Sequence, residues 1–144
     1  MKAAELLGLG FALVVGWTDP ESSRPWLEAL LLAYYNPDGR LVYAGRAGVG
    51  LGHSELGRLW RRLQPLVIAQ MPLEVARPRT NRFGSPLVLS RVHWVRPELV
   101  VEVRYLTWTA NNLLRQVVYE GVREDKVPGQ VRRPVPNLES SAHS

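Results

Sequence analysis

The hydrophobic pattern changes period once and then changes back, and this order limits the folds open to the chain. Three early segments, Phe11 to Thr18, Leu27 to Tyr35 and Leu41 to Ala47, are rich in aliphatic and aromatic residues and are separated by turn formers, as strands are. Asp19-Pro20-Glu21-Ser22-Ser23-Arg24-Pro25 makes the first connection, and Asn36-Pro37-Asp38-Gly39 makes the second and predicts a tight hairpin. The period then becomes helical. Leu56, Leu59, Trp60 and Leu63 share one face of a helix starting near Ser54, Arg58, Arg61 and Arg62 fall on the other, and Pro65 stops it.

Residues 64–90 are punctuated by Pro65, Pro72, Pro78 and Pro86, which predicts a mostly irregular connection with a basic tip at Arg77, Arg79 and Arg82. Strand character returns at Arg91 to Val95 and again at Leu99 to Trp108, where Leu99, Val101, Val103 and Tyr105 alternate with Glu102 and Arg104. Asn111-Asn112 supplies a turn, and a last strand, Leu114 to Arg123, ends at Glu124-Asp125-Lys126. The segment Val127 to Ser144, with Pro128, Pro134, Pro136 and a serine-rich end, is expected to be disordered or loosely attached.

Three strands, a helix and two strands match an all-β fold with one helix, the five-stranded Greek-key OB barrel with its helix between strands 3 and 4. Its sheet face commonly binds oligonucleotides. With 144 residues, 46% of them hydrophobic, one such domain over residues 1–126 is expected. An SH3-like or other small barrel is the alternative, and an open parallel α/β sheet is disfavoured because only one helix alternates with strands. Gly16 and Gly45, inside the first and third strands, mark where a tightly coiled sheet would bulge or approach another backbone closely.

Composition narrows the chemistry. Without cysteine there is no disulfide scaffold, thiolate metal site or cysteine nucleophile, and His53, His93 and His143 are too scattered for a histidine metal cluster, so no metal site is expected. Lys2 and Lys126 are the only lysines among 18 basic residues, and the net charge of +5 is therefore carried almost wholly by arginine, which suits bidentate phosphate recognition. An anionic partner follows, nucleic acid before membrane. The apolar run Leu6 to Val15 after Lys2 lacks a small-x-small cleavage site and is about half the roughly 20 residues that span a bilayer. No membrane partner is expected, and the location expected is the cytoplasm, with the nucleoid.

Gly45-Arg46-Ala47-Gly48-Val49-Gly50-Leu51-Gly52 is glycine-rich between a strand and a helix, yet it has neither the Gly-Lys-Ser/Thr end of a P-loop nor a complete G-x-G-x-x-G frame. It reads as a tight turn that lets backbone pass close to a neighbour, a DNA backbone included. No G-x-S-x-G is present, and neither lysine lies in a K-x-D-G nucleotidyl-transfer motif. Aromatic and basic residues interleave at Trp94, Arg96, Arg104, Tyr105 and Trp108, as on a stacking platform for bases, although aromatics on alternating strands more often belong to the core.

Three blocks in order, residues 39–50, 92–103 and 119–126, resemble the C-terminal OB-fold domain of bacterial ATP-dependent DNA ligases of the end-joining ligase D type, and the resemblance runs from about Phe11 to Lys126. Arg123-Glu124-Asp125-Lys126 is similar to that family's last nucleotidyl-transferase motif, R-x-D-K. The resemblance implies a domain that closes over an adenylation domain, orients the pyrophosphate of ATP, then swings away and clamps nicked DNA. Arg123 and Lys126 would neutralise the β- and γ-phosphates, and Asp125 would orient Arg123 from the same strand face. ATP and Mg²⁺ would be bound mainly by the adenylation domain, supplied in cis or in trans. Candidate contacts to duplex or nicked DNA are Arg24, Arg46, Arg77, Arg79, Arg82, Trp94 and Arg96. The family's adenylated lysine and its flanking motif have no counterpart here, Ser22-Ser23-Arg24 stands in place of Gly-Ser-Arg, and Glu120 in place of an apolar residue. The chain alone is therefore expected not to ligate. The competing expectation is a stand-alone OB module for single-stranded nucleic acid.

Overall fold

Alternating apolar residues on long strands need a second layer to bury them, and here the sheet supplies it by coiling on itself. The computed structural model describes residues 8–21, 23–73, 91–109 and 113–132. In chain order the strands are β1 (Gly8–Thr18), β2 (Ala29–Tyr35), β3 (Leu41–Ala47), β4 (Val67–Ile68), β5 (Val92–Tyr105), β6 (Thr107–Trp108), β7 (Leu114–Arg115) and β8 (Val118–Val122), with helix α1 (His53–Leu63) between β3 and β4. The main sheet runs β3-β2-β1-β5-β4, with β8 also paired to β5, and every ladder is antiparallel. A parallel bridge between Val49 and Val118, with Tyr119 N–H donating to the Val49 carbonyl at 2.9 Å, joins the two ends of the sheet. β1, β2, β3, β5 and β8 are thus the five strands of an OB barrel, with the helix where the element order places it.

The core lies inside this barrel. Val14, Leu30, Leu32, Val101 and Tyr105 are fully buried, and α1 adds Leu56, Leu59 and Leu63 from its apolar face. The β2–β3 hairpin closes as its sequence predicts: Asn36 Oδ1 accepts from the N–H groups of Asp38 and Arg40, and Gly39 takes φ 80°. Gly16 sits at a break in the β1 register, where a Cβ would lie 2.6 Å from the His93 carbonyl oxygen.

Four features differ from the sequence expectation. Arg91–Val95 and Leu99–Trp108 are largely one strand, β5, because Pro97 falls in the stretch where β1 pairing jumps from Leu99 to Trp94, so no β1 ladder bond needs its missing N–H. The last strand is split by Gln116 at φ 53° into β7, which pairs with β6, and β8, which closes the barrel. Val67–Ile68 adds the short edge strand β4. Finally, the segment after Lys126 stays on the barrel as far as it is described: Pro128–Gln130 form a 3₁₀ turn, Val131 is 5% exposed, and its carbonyl accepts from Tyr35 N–H at 3.0 Å. The expected turn at Asn111-Asn112 and the segment after Arg132 lie outside the described residues.

Candidate functional site

One cross-strand rung organises the outer face of the barrel. Phe11 on β1 is paired with Glu102 on β5, and Glu102 with Gly121 on β8, so Phe11 and Glu102 project on the same side of the sheet. Immediately past β8, Arg123 N–H donates to the Val100 carbonyl at 2.9 Å, which fixes where its side chain leaves the barrel. Its guanidinium then folds back over the rung. Nε donates to Asp125 Oδ1 at 3.0 Å, Nη2 to Asp125 Oδ2 at 2.9 Å, and Nη1 to Glu102 Oε1 at 3.0 Å. Of five guanidinium N–H groups, three are engaged by described residues, which leaves one on each terminal nitrogen without a partner among them.

The same ring serves both cations of the segment. Arg123 Cζ lies 5.1 Å from the Phe11 ring centroid and Lys126 Nζ lies 4.5 Å from it. Hydrogen bonds from Arg123 hold the Asp125 carboxyl below its usual range, and those to Asp125 and Glu102 raise the Arg123 guanidinium further above its own. The expected strand-face relation between Arg123 and Asp125 is corrected here. β8 ends at Val122, and Asp125 reaches Arg123 through the turn that follows the strand, which is what lets it approach side-on and bidentate.

Helix α1 is tied to the same end of the barrel. Arg62 pairs with Glu124 at 2.7 Å, and the Tyr119 hydroxyl donates to Glu55, which also pairs with Arg58 at 3.0 Å. Burial and the Glu55 carboxylate push the Tyr119 hydroxyl well above its ordinary value of 10.0, so it remains a donor at neutral pH. Gly50, Glu55, Arg62, Tyr119 and Glu124 line an open groove between helix and strand.

The other residues singled out from the sequence are dispersed. Arg24 bridges two backbone carbonyls through Nη1, Glu28 and Gly48, both at 2.8 Å, and so pins the β1–β2 connection to the glycine-rich turn. Arg46 projects from β3 and pairs with no carboxylate among the described residues. Arg96 is paired with Glu98 at 2.8 Å, and Trp94 packs partly buried against the core beside Gly16. Tyr105 is buried, and Trp108 meets Tyr34 and Tyr105 edge-on at 5.6 and 6.0 Å, which makes this pair part of the core packing. Arg77, Arg79 and Arg82 lie outside the described residues. Phe11 and Glu102 were not singled out from the sequence. Their alternation marks them only as strand residues, and nothing local says that they meet Arg123. Among the described residues no group of three or more His, Asp or Glu side chains could hold a metal ion, and no helix is long and apolar enough to cross a membrane.

The antiparallel barrel and its single helix define an OB-fold domain, with the Arg123, Asp125 and Lys126 cluster just past its last strand. Residues 23–126 match the family described as the ATP dependent DNA ligase C terminal region, and the chain belongs to that family. It is 40% identical over 121 residues to the multifunctional non-homologous end joining protein LigD of Pseudomonas aeruginosa, covering 83% of this chain and 14% of that protein. It is 37% identical over 122 residues to the non-homologous end joining DNA repair protein LigD of Mycobacterium tuberculosis, covering 84% of this chain and 15% of that one. Among solved structures, the ligase domain of M. tuberculosis LigD superposes with a TM-score of 0.72 at 35% identity, over 87% of this chain and 38% of that one. A mycobacterial DNA ligase D complexed with ATP and MES gives 0.70 at 32% identity, over 88% and 38%.

Proposed function

We propose that this domain is the non-catalytic OB half of an ATP-dependent DNA ligase, which binds duplex DNA around a nick and assists adenylation of a lysine on a separate adenylation domain, in cis or in trans. The observation that carries the reading is the Arg123 guanidinium, held in plane by Asp125 beside Lys126, with one N–H on each terminal nitrogen without a partner among the described residues. As the bond to the α-phosphate breaks, negative charge accumulates on the departing pyrophosphate. A preorganised guanidinium and an ammonium stabilise that charge without reorganising at the moment of reaction. Asp125 keeps the fork in one orientation, at the cost of one negative charge near the phosphates, which Lys126 offsets.

ATP and Mg²⁺ are assigned mainly to the adenylation domain, while Asp125 and Glu102 of this domain are both engaged by Arg123. DNA contacts are assigned to Arg46 first, then to Arg24, Arg96, Trp94 and the Arg77, Arg79 and Arg82 segment. Arg24 serves only through the guanidinium donors that the Glu28 and Gly48 carbonyls leave free.

The sealing step has no pyrophosphate, so the segment should act on one step only. With an adenylation domain of this family supplied, Arg123→Ala should slow lysine adenylation by roughly 10²-fold and alter sealing of a pre-adenylated nick much less. Arg123→Lys should recover only part, since a point charge lacks the fork. Equal losses in both steps would refute the assignment.

A further inference from the structure

The R-x-D-K segment does not position itself. Asp125 lies in the same turn as Arg123 and is 59% exposed, so it can set the plane of the guanidinium but moves wherever the turn moves. Glu102 is different. It sits on β5, which is paired on both sides at this point, with β1 through Phe11 and with β8 through Gly121, and its side chain is only 23% exposed. Its bond to Nη1 is therefore the contact that ties the guanidinium to the barrel frame, and it is less screened by solvent than the Asp125 pair. Phe11, its cross-strand neighbour, supplies the floor. Two like charges repel, yet Arg123 and Lys126 both lie over the one Phe11 ring, whose negative quadrupole attracts each of them.

We infer that Phe11 and Glu102 are positioning residues for the Arg123–Lys126 cation pair: a two-residue platform outside the motif that fixes both cations relative to the barrel before phosphate arrives. The inference rests on the phosphate role assigned to Arg123 above. Its opposite can be stated as sharply, because a carboxylate on Nη1 also occupies a donor that a phosphate oxygen would use. A positioning Glu102 and a competing Glu102 predict effects of opposite sign.

The experiment uses the full chain with an adenylation domain of the ligase family and follows ATP-dependent lysine adenylation. Glu102→Ala is expected to lower the adenylation kcat by roughly 10-fold, with less change in the KM for ATP, because misplacement of a catalytic group costs mainly the transition state. Glu102→Gln, which keeps an acceptor for Nη1, should recover most of that loss. Phe11→Leu, which preserves apolar cover without the π face, should lower kcat in the same direction, and Phe11→Tyr should restore it. In an Arg123→Ala background, Glu102→Gln and Glu102→Ala should have no further effect, since Glu102 acts through Arg123. Thermal unfolding of each variant guards against misfolding, and if Glu102→Ala does not fold, the Gln and Leu variants carry the test.

Faster adenylation or a lower KM for ATP in Glu102→Gln would overturn the inference and make Glu102 a competitor. Unchanged kinetics in Glu102→Ala and Phe11→Leu, with Arg123→Ala still impaired, would overturn the platform alone. An Arg123→Ala variant that adenylates normally would overturn both the platform and the reading beneath it.

Discussion

Arg123 and Asp125 form a side-on bidentate pair in a solvent-accessible turn, and such a pair contributes little to stability because water screens it. Its consequence is orientation. The guanidinium hydrogen bonds favour the charged carboxylate, so the folded pKa of Asp125 lies below the ordinary 3.8. The sign follows: whatever the pair adds to stability is fully present above pH 3.8 and disappears only as pH falls below it through the depressed value. An NMR titration of the Asp125 carboxyl carbon should give a midpoint below 3.8, and Arg123→Ala should move it back towards that value. A midpoint already at 3.8 in the wild type would mean that the pair does not persist in solution. At this scale the motif was legible because Arg123, Asp125 and Lys126 are neighbours in the chain. Glu102, 21 residues earlier, was not, because its meeting with Arg123 depends on the β5–β8 register, and a single-residue slip would turn it to the other face.

Among the elements, the glycine-rich turn after β3 matters for closure rather than for cradling phosphate. Gly50 adopts φ 91°, and a Cβ there would lie 2.5 Å from the Tyr119 carbonyl oxygen, beside the Val49–Val118 bridge that joins the ends of the sheet. Gly50→Ala combines left-handed strain with a backbone clash and should destabilise the domain by about 1–3 kcal/mol in urea unfolding. A change within about 0.5 kcal/mol, the scale of ordinary surface substitutions, would show that the closure relaxes freely. The order of elements was readable because β3 and α1 have clean periods. The joins were not. Local pattern cannot tell that Pro97 lies where β1 pairing skips, so that β5 continues through it, or that Gln116 takes φ 53° and divides the last strand. Both outcomes are decided by partners distant in sequence, and so is the burial of Val131 against β2, which keeps the segment after Lys126 on the barrel.

For the whole molecule, the informative quantity is what the chain spans: 14% of the P. aeruginosa LigD sequence and 38% of the M. tuberculosis ligase domain. The proposed reading is that an arginine-rich domain, with a cation pair held over one ring, completes a nucleotide site on another domain. The most direct test of that claim is complementation. An adenylation domain of the family is incubated with labelled ATP and Mg²⁺, with and without the 144-residue chain, and the label on each polypeptide is followed over time. The account predicts label on the adenylation domain alone, appearing at least about 10-fold faster when the chain is present, as expected of a correctly placed catalytic contact. A stable phosphoramidate on Lys2 or Lys126 of this chain, or an adenylation rate indifferent to its presence, would contradict it.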